Sequence, residues 1–454
     1  MPVCVAWRRR QGKDCRSAVF RETSDGFGHH SMLHIAASRD ALWRSGLVSA
    51  RLIRSALSAC ALGSLLSGCG QIGGGSRLGG ATSEAPLSAP TTAVQSRPLT
   101  GAAQPGAIGS GPVKVALILP LTQNGGASSV GQSLRNAAEL AYADAGSNDL
   151  TILVKDDRST PDGARDATQA AIGDGAELIL GPLFAADLRE SAKVAKAADK
   201  PVIGFSTDAA SASRGVYLLS FLIESYVDRI VDYAAAHGKK SFAALVPEND
   251  YGNVALAEYQ QAAARLGVRV EAIERYKPGA PAEAVARIAA ALPRIDALFI
   301  PDSADDMAAV AGALTANGID SGKVQILGTG LWTDPRVVKL PPLQGAWVSA
   351  PEGAGFAGFA GRYRAKFGND PARIATLSYD AVSLAAALSH GQPGQRFSQD
   401  ALTNTSGFNG ADGVFRFRAD GPNDRGLAVL QIGGGSTTVL SPAPRSFTGS
   451  PSGI

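Results

Sequence analysis

The sequence predicts an α/β protein whose folded region forms two doubly wound lobes, each a parallel β-sheet covered on both faces by helices. From Val113 onward, short apolar runs alternate with amphipathic runs, which is the pattern of such sheets. The alternation restarts at Ser241, and each series is long enough for a sheet of its own. With 454 residues, 45% of them hydrophobic and 18% charged, the chain can also bury more than one large core.

The first series begins with a buried strand over 113–119, which Pro120 ends. Either Ser128 or Ser129 can then cap a helix whose apolar residues recur at helical spacing. Thr160 and Pro161 supply the cap and the first-turn proline of the next helix. The other elements predicted for this series are strands over 151–154, 177–180 and 201–205, and a helix over 187–198.

The second series predicts strands over 241–246, 268–276, 297–300, 324–327 and 346–350, and helices over 252–266, 281–291 and 305–316. Helices over 356–367 and 378–389 fit either lobe, and the segments 414–417 and 428–432 predict a closing hairpin-like pair. We therefore assign 113–220 and 350–400 to the first lobe, 221–349 and 401–440 to the second lobe, and 441–454 to a disordered tail.

The N-terminal residues 1–68 are predicted to be a leader. Arginines precede an apolar run over 56–66, which is too short to span a bilayer as a permanent helix. The run ends in Leu66-Ser67-Gly68-Cys69, which resembles the bacterial lipoprotein signal and makes Cys69 the predicted lipid acceptor. An ordinary apolar segment that contains cysteine is the alternative interpretation. Met32 offers a second start codon besides Met1.

Residues 69–112 are predicted to be a flexible tether. From 70 to 112, 31 of 43 residues are Gly, Ala, Ser, Thr or Pro and none is aromatic, so the segment cannot bury a core.

From Cys69 onward the chain has 33 basic and 36 acidic residues, which does not favour a nucleic-acid partner. All four cysteines lie in the first 69 positions, so no thiol chemistry is available downstream.

Candidate catalytic groups are few. His237 and His390 are the only histidines after the leader, and we interpret both as surface residues at helix ends. The acidic pairs at 156–157 and 305–306 are interpreted as capping carboxylates. The segment 353–358 matches the letters of a dinucleotide fingerprint, but we interpret its glycines as a flexible crossover between lobes. The sequence therefore predicts no enzyme, no cofactor and no metal site.

Five segments carry a family resemblance through their order and spacing. They are the strand and Gly-rich loop after Val113, Leu180-Gly181-Pro182-Leu183, Pro247 to Gly252, Tyr379-Asp380-Ala381, and Phe408 to Phe415. Together they resemble the type I periplasmic binding proteins, in the leucine/isoleucine/valine-binding branch. The resemblance implies two lobes joined by three crossovers, which close like a hinge on a ligand held at the carboxyl ends of the strands.

The loops that follow these strand ends supply the candidate ligand-binding residues. Their main-chain N–H groups and hydroxyls can hold a carboxylate, and their aromatic rings can cover an apolar group. Each is also consistent with an ordinary loop or packed residue. In amino-acid-binding members the loop after the third strand supplies a serine, whereas 183–186 has no hydroxyl. The candidates are Leu183, Phe184, Ser206, Thr207, Tyr251, Asp302 and Trp332.

The resemblance implies a lipid-anchored periplasmic solute-binding protein that delivers a small amino-acid-like ligand to an ABC permease. The long tether and the Gly-Pro-Leu loop also resemble the penicillin-binding protein activators, which leaves an alternative function: an outer-membrane lipoprotein that regulates a peptidoglycan synthase and binds a cell-wall fragment. Gly70 after the lipidated cysteine favours sorting to the outer membrane.

Overall fold

The computed structural model describes residues 106–447. The predicted leader, Cys69, the tether up to residue 105, and residues 448–454 lie outside the described residues. Within 106–447, no helix combines the length and the apolar character that crossing a membrane requires.

Strands and helices alternate in two series, as the sequence predicts. The strands are β1 Gly106–Ile108, β2 Val113–Leu119, β3 Thr122–Gln123, β4 Gly126–Ala127, β5 Leu150–Asp156, β6 Leu178–Leu180, β7 Val202–Gly204, β8 Val216–Leu218, β9 Ser241–Pro247, β10 Arg269–Tyr276, β11 Ala297–Phe299, β12 Gln325–Gly328, β13 Trp347–Ala350, β14 Phe408–Gly410, β15 Gly413–Phe417, β16 Asn423–Arg425, β17 Ala428–Gly433 and β18 Ser436–Ser441. The helices are α1 Ser129–Ala145, α2 Pro161–Gly173, α3 Ala185–Ala197, α4 Ile223–Ala236, α5 Asp250–Leu266, α6 Ala282–Ala291, α7 Met307–Ala316, α8 Gly353–Phe367, α9 Ala375–Ser389 and α10 Gln399–Leu402.

The first lobe is built on a six-stranded sheet in the order β1-β5-β2-β6-β7-β8, with only β1 antiparallel to its neighbour. The central strand β2 explains the continuous apolar run at the start of the series. Val115 and Leu117 point into a core shared with α1 and α9, whereas Ala116 and Ile118 point into a core shared with α2 and α3. A strand that is buried on both faces needs apolar side chains at every position.

The second lobe repeats this arrangement on a seven-stranded sheet in the order β10-β9-β11-β12-β13-β17-β18. The strands from β10 to β13 are parallel, and β17 and β18 are antiparallel to their neighbours. In β9, Phe242 and Ala244 pack under α4 and α5, whereas Ala243 and Leu245 pack under α6 and α7. Both faces of this sheet are therefore covered by helices as well.

The chain crosses between the lobes three times, at 219–222, 351–352 and 426–427. The first crossover is tied to the approach of the third, because Asn423 accepts from the Ser220 main-chain N–H and donates to its carbonyl oxygen, at 3.3 and 3.2 Å. Glu352 on the second crossover accepts from the Ala443 N–H at 2.8 Å. The two-lobed fold with three crossovers that the resemblance implies is confirmed.

The C-terminal third is divided differently from our expectation. Strands β14, β15 and β16 form a separate antiparallel sheet that packs on the first lobe, where Phe415 and Phe417 enter the core. The assignment of all of 401–440 to the second lobe was wrong for this sheet. The predicted hairpin of 414–417 with 428–432 was also wrong, because β15 pairs with β14 and β16, and β17 pairs with β13 and β18. Two apolar strands close in sequence cannot reveal that a crossover separates them.

The ordered region is longer than predicted at both ends. β1 lies within the predicted tether, yet it pairs with β5 and buries Ile108. At the other end, the Arg416 guanidinium lies 4.6 Å from the centre of the Phe447 ring, and β18 extends to Ser441. Single apolar residues in small-residue segments give too weak a pattern to predict such edge contacts.

The segment 353–358 is not the flexible crossover that we expected. It forms the first turns of α8, and the crossover lies just before it at 351–352. A Cβ on Gly355 would lie 2.1 Å from the Ala411 carbonyl oxygen, so glycine here allows close packing of a helix against a loop.

The strongly amphipathic helix α4 and strand β8 were missing from the predicted series.

The structure decides between the two candidate caps of α1. The Ser128 side chain accepts a hydrogen bond from the Gly131 N–H at 3.0 Å, whereas Ser129 is the exposed first residue of the helix. Ser128→Ala should lower the free energy of unfolding by about 1 kcal/mol, because it leaves that N–H without its partner. Ser129→Ala is the matched control and should change it by less than about 0.5 kcal/mol. Urea unfolding followed by circular dichroism measures both, and equal effects of the two variants would contradict the cap assignment.

Candidate ligand cleft between the lobes

All three crossovers lie at the edge of each sheet where the parallel strands end. The first leaves the carboxyl end of β8 and the second leaves the carboxyl end of β13. The third enters the amino end of β17, which lies at the same edge because β17 is antiparallel to β13. The carboxyl edges of both sheets therefore meet at the hinge, and the loops that follow the strands line the cleft between them.

Asp156 organises the first-lobe loop after β2. Its carboxylate accepts from the main-chain N–H groups of Leu121, Thr122 and Arg158 at 2.9–3.1 Å, and from the Thr122 hydroxyl at 2.8 Å. The interpretation of Asp156 as a carboxylate that satisfies free N–H groups is confirmed. Since both of its oxygens are engaged, this residue shapes the cleft without offering a free charge to a ligand.

The loop between β6 and α3 carries two of the predicted ligand residues. Gly181 has a φ of 85°, and a Cβ there would lie 2.1 Å from the Ile118 carbonyl oxygen, so only glycine fits against β2. Leu183 leans against the first-lobe core, whereas Phe184 is 40% exposed. Phe184 precedes α3, whose first turn has no side-chain cap. The loop thus presents an aromatic ring beside the start of a helix.

Ser206 and Thr207 follow β7 and differ in exposure. Ser206 is buried, and its hydroxyl oxygen accepts from the Asp208 N–H at 3.1 Å. Thr207 is exposed, and its hydroxyl makes no hydrogen bond within residues 106–447. Of the two hydroxyls that the sequence singled out, Thr207 is the one left free for a ligand.

Tyr251 fastens two cleft loops of the second lobe together. It follows β9, and its hydroxyl donates to the Thr329 hydroxyl oxygen after β12 at 2.8 Å. Burial raises the pKa of the Tyr251 hydroxyl above its ordinary value, and the hydrogen bond to Thr329 opposes that rise. Tyr251 therefore remains a neutral donor whose ring is partly exposed at the cleft edge.

Asp302 and Trp332 lie together, but beneath the cleft surface. The Asp302 carboxylate accepts from the Tyr276 hydroxyl, and from the Ser303 N–H at 2.7 Å. Trp332 has no exposed surface, and its indole N–H donates to the Asp302 carbonyl oxygen at 3.1 Å. Both side chains are engaged within the second lobe, so the structure gives them a supporting position rather than a ligand-facing one.

Leu331 was not among the predicted ligand residues, although it lies in the loop after β12, at a strand carboxyl end. Large apolar side chains exposed by more than a third are rare in the described chain, and Leu331 is one of them at 38%. Phe184 is another, and it follows a carboxyl strand end in the opposite lobe. A loop at a strand carboxyl end in each lobe therefore carries an exposed apolar side chain, which is a common feature of ligand surfaces. The sequence around Leu331 resembles that around buried leucines, so only the folded structure reveals its exposure.

The hinge is reinforced by an ion pair that the sequence did not reveal. Arg373 donates two hydrogen bonds to Asp412 at 2.9 and 2.7 Å, and the Thr376 hydroxyl donates to the same carboxylate at 2.5 Å. The Arg373 guanidinium also lies 4.8 Å from the ring of Phe221 and 4.4 Å from the ring of Phe356. Phe221 belongs to the first crossover, so this pair connects the crossover to the first lobe.

A second arginine, Arg425, also packs on the ring of Phe221. The Arg425 guanidinium is 4.6 Å from that ring and 4.0 Å from the Asp380 carboxylate, and both side chains are buried. Burial raises the pKa of Asp380 to about 7, while Arg425 and the hydrogen bond from the Ala411 N–H oppose the rise. The motif around Asp380 therefore serves the hinge and not the ligand.

Side chains that could bind a metal ion are not clustered in the part of the chain that the structure describes. Within 106–447 no group of three or more His, Cys, Asp or Glu side chains could hold a metal ion. His237 and His390 are exposed caps at the ends of α4 and α9, as predicted.

Two buried carboxyl groups behind the first-lobe loops give a pH-dependent prediction. Burial raises the pKa of Asp157 from 3.8 to about 7 and that of Asp187 to about 6. Because the folded chain then binds protons more tightly than the unfolded chain, its stability should fall as the pH rises from about 4 to about 7. Asp157→Asn should flatten this fall and increase stability at pH 8, since the amide oxygen can still accept from the Ser159 N–H.

Thermal unfolding between pH 4 and pH 8 measures this effect. Asp162→Asn is the matched control, because Asp162 lies exposed at the start of the adjacent helix α2. An Asp157→Asn variant whose stability falls as steeply between pH 4 and pH 8 as that of the unsubstituted chain would contradict the prediction.

Comparison with known proteins agrees with this architecture. The profile of the periplasmic binding protein family matches residues 112–437. A branched-chain amino acid ABC transporter periplasmic ligand-binding protein from Burkholderia xenovorans superposes with a TM-score of 0.60 at 17% identity, covering 74% of this chain and 97% of that one. A leucine-bound ABC transporter substrate-binding protein from Desulfitobacterium hafniense gives 0.54 at 17% identity, covering 72% and 99%.

A Rhodospirillum rubrum protein assigned to branched-chain amino acid ABC transport gives a TM-score of 0.65 at 20% identity and covers 72% of this chain and 99% of that one. No curated protein sequence matches this chain. At such identities the structural likeness shows the fold, and the family rests on the profile match over most of the chain. The protein therefore belongs to the periplasmic binding protein family.

Proposed function

We propose that this protein is a solute-binding protein of the leucine-binding type, which takes a small amino-acid-like ligand into the interlobe cleft and delivers it to an ABC permease. One pair of observations supports the proposal: the cleft loops of each lobe carry an exposed apolar side chain, and the loops of the two lobes make no hydrogen bond to each other within residues 106–447. Such a cleft can close around a ligand that bridges the lobes.

The apolar part of the ligand is assigned to Phe184 and Leu331. Each belongs to a loop at a strand carboxyl end, and they belong to opposite lobes. A branched aliphatic side chain between them would remove apolar surface of both residues from water. This arrangement favours leucine-like ligands over small polar ones.

The charged part of the ligand is assigned to groups that have no partner in the described chain. The exposed hydroxyl of Thr207 and the uncapped first turn of α3 can hold a carboxylate. Across the cleft, Glu248 follows β9, is exposed, and makes no ion pair within residues 106–447, so it can hold an ammonium group. These donors and acceptor fit the two ends of an amino acid.

A thermal-shift titration of the purified full chain tests the proposal. Leucine, isoleucine and valine should raise the melting temperature in a concentration-dependent way, and glycine should do so much less. Stabilisation by peptidoglycan fragments, without any by amino acids, would instead support regulation of a peptidoglycan synthase and contradict the transport proposal.

Substitutions at the two cleft walls should separate ligand contacts from general stability. Leu331→Ala and Phe184→Ala should each weaken leucine binding by about 1–2 kcal/mol, roughly 5- to 30-fold, because less apolar surface is buried in the complex. Val439→Ala is the matched control, since Val439 is 52% exposed on the edge strand β18. Calorimetric titration measures all three affinities, and unchanged affinity in both cleft variants would remove these residues from the site.

We also propose that Cys69 anchors the protein to the outer membrane through a lipid. The motif that ends in Cys69 and the following Gly70 support this location. Cys69→Ser should move the protein from the membrane fraction to the soluble fraction, because it removes the thiol that accepts the lipid. Cys60→Ser is the control, as Cys60 lies in the preceding apolar run. Immunoblots of salt-washed membranes measure the outcome, and a serine variant that stays with the membrane would contradict the anchor.

A further inference from the structure

The first lobe has a second cavity, at the end opposite to the cleft. Its volume is about 500 Å³, and it opens where β6, β7 and β8 begin. Pro201 and Val216 at the amino ends of β7 and β8 line it, together with the loop between α9 and α10. Because the ligand cleft lies at the carboxyl ends of the same strands, this cavity is separate from it. The volume falls in the range of small-molecule sites.

The Tyr217 side chain lines this cavity with an unsatisfied hydroxyl. The residue is only 1% exposed, and its ring packs on Phe417 with 5.3 Å between the ring centroids. The hydroxyl makes no hydrogen bond within residues 106–447. The hydroxyl can therefore donate to an acceptor that enters the cavity.

Arg396 adds a second buried donor to the same cavity. Its side chain is 9% exposed, and one terminal nitrogen donates to the Ser389 carbonyl oxygen at 3.1 Å, which fixes the guanidinium. The Nε atom makes no hydrogen bond, although Glu177 lies 3.4 Å from it. The Tyr217 hydroxyl and the Arg396 Nε–H therefore each make no hydrogen bond within residues 106–447, although Arg396 is ion-paired with Glu177.

The charge of the lining favours an anion. Lys196, Lys200 and Arg214 join Arg396 in the lining, against the acidic residues Glu177 and Asp199, so cations exceed anions by two. Neither lysine makes an ion pair within the described chain, and Arg214 is held in place by a 2.7 Å hydrogen bond to Gln399. The negative charge of Asp400 lies close enough to favour the neutral form of the Tyr217 hydroxyl, but Asp400 does not line the cavity.

We propose that this cavity binds a small organic anion with two carboxylates on an apolar body. One carboxylate accepts from the Tyr217 hydroxyl and the Arg396 Nε–H, and the second lies near the rim cations. The apolar body packs against the rings of Tyr217 and Phe397 and against Pro201. This inference does not depend on the transport function proposed for the cleft.

Terephthalate is a suitable probe, because it carries two carboxylates on a flat ring. Isothermal titration of the full chain at low ionic strength should show saturable binding that weakens as salt is added. Monomethyl terephthalate, which lacks one charge, should bind about tenfold more weakly. Absence of saturable terephthalate binding, or equal affinity for the monoester, would overturn the proposal.

Variants locate the binding in this cavity. Tyr217→Phe removes only the hydroxyl and keeps the ring on Phe417, so it should weaken terephthalate binding about tenfold. Arg214→Gln should weaken it several-fold, and because Arg214 is exposed the fold should be unaffected. Arg165→Gln is the matched control, from the exposed surface of α2 in the same lobe, and should bind as the unsubstituted chain does.

The cleft variant Leu331→Ala should also leave terephthalate binding unchanged. Binding that survives both Tyr217→Phe and Arg214→Gln, or that is lost in Leu331→Ala, would show that the anion binds elsewhere and would overturn the assignment.

Discussion

The structure depends on one constraint: all three passages of the chain between the lobes occur at the carboxyl edges of the two sheets. Parallel strands force their connecting loops to these edges, and the crossovers place both edges beside one hinge. The loops that carry Phe184 and Leu331 thereby lie at the carboxyl edges of the two sheets, although 147 positions separate the two residues. The proposed ligand contacts follow from this geometry.

The hinge itself contains two ion pairs whose carboxylates are buried. Arg373 and Arg425 lie on the ring of Phe221 in the first crossover, and each has a carboxylate in reach, Asp412 and Asp380. A buried carboxylate that lost its partner would be destabilising, so both pairs help to fix the base of the hinge. The cleft loops of the two lobes make no hydrogen bond to each other in the described chain, which is consistent with the proposed closure around a ligand.

The two ends of the first-lobe sheet have different chemistry. At the carboxyl end, the Asp156 carboxylate accepts hydrogen bonds from main-chain N–H groups, and burial raises the pKa of Asp157 to about 7. The loops there therefore offer a ligand mainly hydroxyl and N–H groups. At the amino end, Arg396 and the neighbouring lysines surround a cavity with an excess of positive charge. One sheet can therefore support two ligand sites of different charge preference.

The sequence by itself determined the two α/β series, the resemblance to the family, and the loops that reach the cleft, because strand burial, helix periodicity and turn residues are local properties of the chain. It also predicted Tyr251 and Thr207 as ligand-binding residues, and both remain predictions. Only the tertiary structure decided that β14 to β16 join the first lobe, that Trp332 is buried beside Asp302, and that Leu331 is exposed. These outcomes depend on which surfaces meet after the chain has crossed between lobes, and contacts between residues distant in sequence leave no local pattern from which to predict them.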